Sequence, residues 1–328
     1  MVVLSDKEAA LSDRKKIWML EKLIEIRKFE EKAILLYRAG KIWGYLHPCI
    51  GQEAIPVGAC CAIKKGDYII SNHRGHGHCI AAGADIRKMM AELFGKSTGY
   101  CGGRGGSMHI IDMEHGILGQ NGIVGGGIPL SVGAGLSCKM DKKGGVTLCF
   151  FGDGASNNGV FHEALNMSAL FKLPVIYICE NNMYAISMSS KDSVACVDIG
   201  KRSCAYGIPG HIIDGSNPIE VYGAVSEAME LARGGGGPSL IEAKTYRFYG
   251  HHTNDPAEYR SSKEVEYYKS TKDPVVNFKR KLLEEKTITV DGIGEIENRL
   301  DKKIEDAVTF AMDSPEPELD EFLKETKE

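Results

Sequence analysis

No stretch of this 328-residue chain is apolar for long enough to span a bilayer. Residues 1–8 lack the apolar core of a secretory leader, so a cytoplasmic protein is expected. No C-x-x-C pair occurs: the ten cysteines stand singly in apolar runs (Cys149, Cys179) or side by side as Cys60 and Cys61. That excludes a disulfide scaffold and suits small buried hydrophobes in a reducing compartment. There is no G-x-x-x-x-G-K-[ST] loop, so a P-loop nucleotide site is unsupported. A dinucleotide fingerprint fails as well, because the third glycine it needs after Gly154 is Asn157. Charge of neither sign is in large excess; a net charge of −4 argues against nucleic acid or an anionic membrane as the main partner. No internal repeat and no flexible linker divide the chain.

What is present is organised around residues 146–182. Two short apolar runs, 146–151 and 174–179, flank a helix-like segment that starts near Gly159. This is the pattern of strand, helix, strand. Near-continuous apolar strands predict an α/β fold with a mainly parallel sheet covered by helices on both faces. In such sheets ligands bind beyond the carboxyl ends of the strands. Asp153 follows the first run and Asn182 the second, so neighbouring strands bring both side chains to one crevice. One carboxylate and one amide oxygen are hard donors, which suits magnesium better than zinc or copper. Gly152 and Gly154 let the backbone approach a phosphate, and the helix from Gly159 would aim amides at it. The local reading is a magnesium–diphosphate site.

The remaining segments are read around that site as one domain over 1–328. Ser12 and Asp13 cap a packing helix that runs to Gly40, with Ile17, Leu20, Ile24, Phe29, Ala33 and Leu36 on its apolar face and no chemistry of its own. His47 lies in an irregular segment; Glu53 reads as a helix-start carboxylate. Residues 67–70 read as a strand that ends in Asn72, His73, Arg74, His76 and His78. The mixed spacing of these histidines is a weak metal signal. Arg74 suits a phosphate fork. The glycine-rich stretch 95–106 reads as a mobile or closely packed loop, and 122–129 leads into a small-residue helix. A helix near 221–233 precedes a strand, 239–244, which ends in a polar segment with Arg247, Gly250, His251 and Asp255. A helical segment, 262–328, closes the chain. In it Ile296, Leu300, Ile304 and Val308 give an amphipathic helix, and the acidic end with Pro315 and Pro317 reads as peripheral.

Taken together, His47 with Gly51-Gln52-Glu53-Ala54, the run His73 to Gly77, Gly106 to His109, Asn121 to Gly125, Gly152-Asp153-Gly154, Glu180-Asn181-Asn182 and Gly250-His251 resemble one family. It is the alpha subunit of the thiamine-diphosphate-dependent first component of 2-oxo acid dehydrogenase complexes, with its acetoin dehydrogenase relatives. The resemblance runs from about Tyr37 to the C-terminus. It implies thiamine diphosphate and Mg2+ as cofactors, the metal held by Asp153, Asn182 and the carbonyl of Tyr184. It further implies His73, Arg74, Gly154 and Ala155 on the diphosphate, and Tyr45, Gly122 and Val124 around the rings. His47 would face the substrate, and His251 would lie near the diphosphate and serve acyl transfer to lipoamide. Thiamine diphosphate supplies a carbon nucleophile and an electron sink. In the family an activating glutamate comes from a separate beta subunit. The implied partners are therefore that beta subunit, in a heterotetramer of two alpha and two beta chains, and a lipoyl-bearing acyltransferase. The implied reaction is oxidative acyl transfer from acetoin or a 2-oxo acid such as pyruvate. Animal enzymes carry a phosphorylated serine directly after the loop histidine; here that residue is His252, so kinase control at this point is not expected. Residues 110–119 and 184–187 lean towards the acetoin type. The alternatives are the cofactor half of a split transketolase, or a non-catalytic protein that keeps the fold. Gly250-His251 and the intact Asp153 and Asn182 weigh against them.

Overall fold

The apolar runs at 147–152 and 175–181 pair side by side. In the computed structural model, which describes residues 11–325, they are strands β3 (Thr147–Gly152) and β4 (Val175–Asn181). With β1 (Tyr68–Ile70), β2 (Ile117–Gly119), β7 (Gly210–Asp214) and β8 (Ser239–Lys244) they form a six-stranded sheet of order β2-β1-β3-β4-β8-β7. Every pairing in it is parallel. The short strands β5 (Tyr184–Ala185) and β6 (Met188–Ser189) make a separate antiparallel hairpin.

Period-two alternation sorts the central strands onto two cores. Leu148, Phe150, Ile176, Ile178 and Ile241 face one, with Leu20, Leu23, Phe29 and Leu300 packed over them. Cys149, Phe151, Tyr177, Cys179 and Leu240 face the other, under Ile128, Phe161 and Leu165. Each large apolar side chain buried this way contributes about 1.5–3 kcal/mol. The helices Asp13–Arg38 and Val290–Asp313 belong to the first layer; Gly127–Asp141 and Gly159–Leu170 form the second. The two-sided burial explains why β3 and β4 read as unbroken apolar runs. Beyond Ser314 the chain is less peripheral than its composition suggests: Ser97 N–H donates to Pro315 O at 3.1 Å.

The strand order decides where a ligand can lie. From β1 the chain continues outwards to β2, whereas from β3 it continues the other way to β4, so the order reverses between β1 and β3. A crevice opens at the carboxyl ends of strands on either side of such a point. Register sharpens this. Gly152 stands opposite Glu180, and Asn181 opposite Lys244, so Asp153, Asn182 and Thr245 leave the sheet at nearly one level. No helix among the described residues is long and apolar enough to cross a membrane.

Candidate active site

A cavity of about 210 Å³ lies at these strand ends, with Asn72, His73 and Arg74 after β1, Gly152 to Ala155 at the end of β3, and Asn182 after β4 on its wall. Asp153 is 2 % exposed, and its Oδ2 has no hydrogen-bond partner. Burial pushes its carboxyl up to about 6, against the pull of Arg247 and Arg74. A buried carboxylate oxygen without a donor is costly, and a bound cation would satisfy it. The backbone at Gly152 is open as well, since a Cβ there would meet nothing within 4 Å, whereas Gly154 packs so close to Ala185 that a Cβ would lie 2.7 Å from Ala185 Cβ. The donor set, the orphaned oxygen and the open backbone fit a magnesium–diphosphate group.

One local expectation changes. The helix does begin at Gly159, but Asn158 caps it, accepting from Val160 N–H at 3.4 Å. The cleft wall is instead formed by the 3₁₀ turn Asp153–Asn157, which carries Gly154 and Ala155. Backbone amides near an anion here belong to that turn.

Arg74 is 4 % exposed and already engaged: one guanidinium nitrogen donates to Pro48 O at 3.0 Å, the other to His251 O at 2.8 Å. Asn72 braces this strand end, accepting from Arg74 N–H at 2.8 Å and donating to Glu180 Oε2 at 2.5 Å. His47, His73 and His251 form one cluster, with ring centroids 4.9 Å apart for His47–His73 and for His47–His251. Burial and the Arg74 guanidinium push His47 and His251 down to about 3 and His73 well below its usual value, so all three rings are neutral near pH 7. Tyr45 is exposed at the rim, its ring 5.3 Å from that of His252. Val124 lies on the cleft wall, whereas the Cα of Gly122 faces the His109 ring. The Tyr184 carbonyl accepts from Arg247 Nη1 at 2.9 Å. Met183 (φ 74°) and Ile186 (φ 53°) bracket it in left-handed conformations, strain that such residues rarely bear outside functional segments.

The histidines at 76 and 78 are structural. His76 joins Glu30 at 3.1 Å and Ser107 at 3.0 Å; His78 meets Ser71 at 2.8 Å. Among the described residues no group of three potential ligands is placed for a metal. The first helix carries more than packing. Its Glu30 accepts from Cys49 N–H at 2.9 Å, and its Arg27 reaches Glu53 Oε1 at 2.6 Å just before the helix Ala54–Cys60.

Sequence reasoning quoted Gln52 and Glu180 within motifs but gave them no role, and it missed Glu92. Gln52 and Glu180 line the cavity; the signal for Glu180 was its place at a strand end beside Asn182. Glu92 organises the glycine-rich stretch, which is closely packed. Its Oε2 accepts from Cys101 and Gly103 N–H at 2.7 and 2.9 Å, and its Oε1 from Gly105 and Gly106 at 2.7 and 3.0 Å. Only glycine fits at 103: its φ is +76°, and a Cβ would sit 2.3 Å from the Gly95 carbonyl carbon.

The chain is similar to known proteins over nearly its whole length. Residues 21–320 match the family described as Dehydrogenase E1 component. The chain is similar to the alpha subunit of acetoin:2,6-dichlorophenolindophenol oxidoreductase from Bacillus subtilis, at 46 % identity over 98 % of this chain and 96 % of that one. It is also similar to the alpha subunit of the pyruvate dehydrogenase E1 component from Rhizobium meliloti, at 42 % identity over 92 % of this chain and 86 % of the relative. A second acetoin relative, from Cupriavidus necator, is 42 % identical over 97 % and 94 %.

Proposed function

This chain belongs to the dehydrogenase E1 component family, and on that premise we propose that it is the alpha subunit of a thiamine-diphosphate- and Mg2+-dependent oxidoreductase. Its substrate is acetoin or a 2-oxo acid such as pyruvate, and the acyl group passes to a lipoyl group on a partner acyltransferase. Acetoin is the first substrate to assay, because two of the relatives named above are acetoin enzymes. The cofactor, when bound, supplies a carbon nucleophile and an electron sink.

The observation that carries the reading is Asp153: a buried carboxylate with an unpaired oxygen, at the end of a central strand and on the same cleft wall as Asn182 and Arg74. Asp153 and Asn182 hold the cation, and the second lone pair of the Tyr184 carbonyl completes the protein's share. Arg74 and His73 serve the diphosphate side with Gly154 and Ala155. Tyr45, Val124 and Gly122 serve the ring side. His47 and His251, kept neutral, each offer one ring nitrogen as a hydrogen-bond donor and the other as an acceptor without bringing positive charge to the reacting end. His47 faces the substrate and His251 the handover of the acyl group. The chain is one half of a site: a beta subunit contributes the group that activates the cofactor, in an assembly of two alpha and two beta chains in the cytoplasm.

Replacing Asp153 by Ala tests the reading. Calorimetry on the alpha–beta assembly is expected to show a loss of thiamine diphosphate affinity of at least roughly tenfold in the presence of Mg2+, about 1.4 kcal/mol, with the fold retained. Unchanged affinity would remove Asp153 from the site.

A further inference from the structure

Gln52 stands in the turn that opens the helix Ala54–Cys60, 1 % exposed on the cleft wall. Among the described residues its side chain hydrogen-bonds to Asn182, and the main chain fixes the direction of that contact. The Tyr184 N–H is a donor that cannot be reversed, and it lies 3.3 Å from Asn182 Oδ1. Asn182 therefore turns its oxygen towards Tyr184 and its Nδ2 towards Gln52. Gln52 answers with Oε1, accepting at 3.1 Å. That leaves Gln52 Nε2 buried with no partner. A buried amide N–H2 without an acceptor calls for one, and the cleft is the open space beside it.

We propose that Gln52 is a positioning residue with two linked tasks. It locks the Asn182 amide in one orientation, so that oxygen and not nitrogen is available to a cation, and it offers Nε2 as a donor to the oxygen-rich, anionic part of the ligand. An amide nitrogen does not ligate a hard cation, so a flipped Asn182 would lose the metal. Gln52 suits this position because one side chain both accepts from Asn182 and donates to the ligand; neither glutamate nor leucine does both. The inference rests on the magnesium–diphosphate reading given above.

Two variants in the alpha–beta assembly separate the tasks. Gln52→Glu keeps an acceptor for Asn182 Nδ2 and removes the donor. Gln52→Leu removes both. The readouts are Mn2+ binding by electron paramagnetic resonance and binding of inorganic diphosphate with Mg2+ by calorimetry; neither needs turnover. Gln52→Glu is expected to hold Mn2+ at least as tightly as the unaltered protein while losing roughly tenfold or more in diphosphate affinity. Gln52→Leu is expected to lose roughly tenfold in both. Mn2+ and diphosphate binding within about twofold of the unaltered assembly in both variants would overturn the proposal, as would equal losses of Mn2+ in both. Should Gln52→Leu fail to fold, as judged by its melting curve, the Gln52→Glu pair of affinities decides alone. Absence of Mn2+ and diphosphate binding in the unaltered assembly would instead sink the reading of the cleft on which Gln52 depends.

Discussion

Single residues in the cleft are tuned by burial more than by partners. His47 has a buried Nδ1 with no hydrogen bond, and its ring is pushed down to about 3 by burial and then by Arg74. In the unfolded chain a histidine titrates near about 6.5. Between roughly pH 6.5 and 3 the unfolded state therefore binds the proton that the folded state refuses. Stability from this group is fully present above about pH 6.5 and is lost as pH falls towards 3. Denaturation midpoints measured from pH 7.5 down to 5 are expected to decline, and to decline less steeply in His47→Gln; an unchanged slope would show that the ring protonates freely in the fold. Asp153 and Asn182 were legible in the sequence because each follows an apolar strand directly, and consecutive strands so often pair. The contact of Gln52 was not legible, although the residue stands in a quoted motif. Its partner lies 130 positions away, and nothing in a Gly-Gln-Glu-Ala run announces which amide it will meet.

At the scale of elements, the glycine-rich stretch shows how a loop rich in conformational freedom becomes fixed. Four backbone N–H groups converge on the Glu92 carboxylate from the preceding helix Ile86–Leu93. Glu92→Gln puts an N–H2 against donors in place of an oxygen. With hydrogen bonds to a charged group worth about 1.5–3 kcal/mol each, a destabilisation of roughly 3 kcal/mol is expected. Urea denaturation measures it, and faster amide exchange at residues 101–106 would localise it. A loss under about 1 kcal/mol would show that the loop holds its shape by itself. Composition revealed the glycines but gave no hint of the carboxylate, because a side chain that satisfies a loop leaves no periodic trace. The same limit hid β2 and β7. The first is three residues long, and the second is a half-exposed edge without an apolar run. The helices 13–38, 218–233 and 290–313 were visible because their apolar spacing carries over several turns.

At the scale of the whole molecule, the proposed function would have this chain hold the cation and diphosphate and a partner bring the activating group. Purified without that partner, it is expected to turn over neither acetoin nor pyruvate with an artificial electron acceptor. Full activity from the isolated chain would overturn the half-site reading. The strand order has a further cost during synthesis. Strand β4 lies between β3 and β8, and it is buried along its whole length. On the ribosome β3 emerges shortly before β4, yet β8 ends only at residue 244 of 328. Until then the nascent chain carries β4 as a naked, mostly apolar edge, the kind of surface that recruits strands from other chains. The element at the heart of the cleft is thus also open to mispairing while the protein is being made.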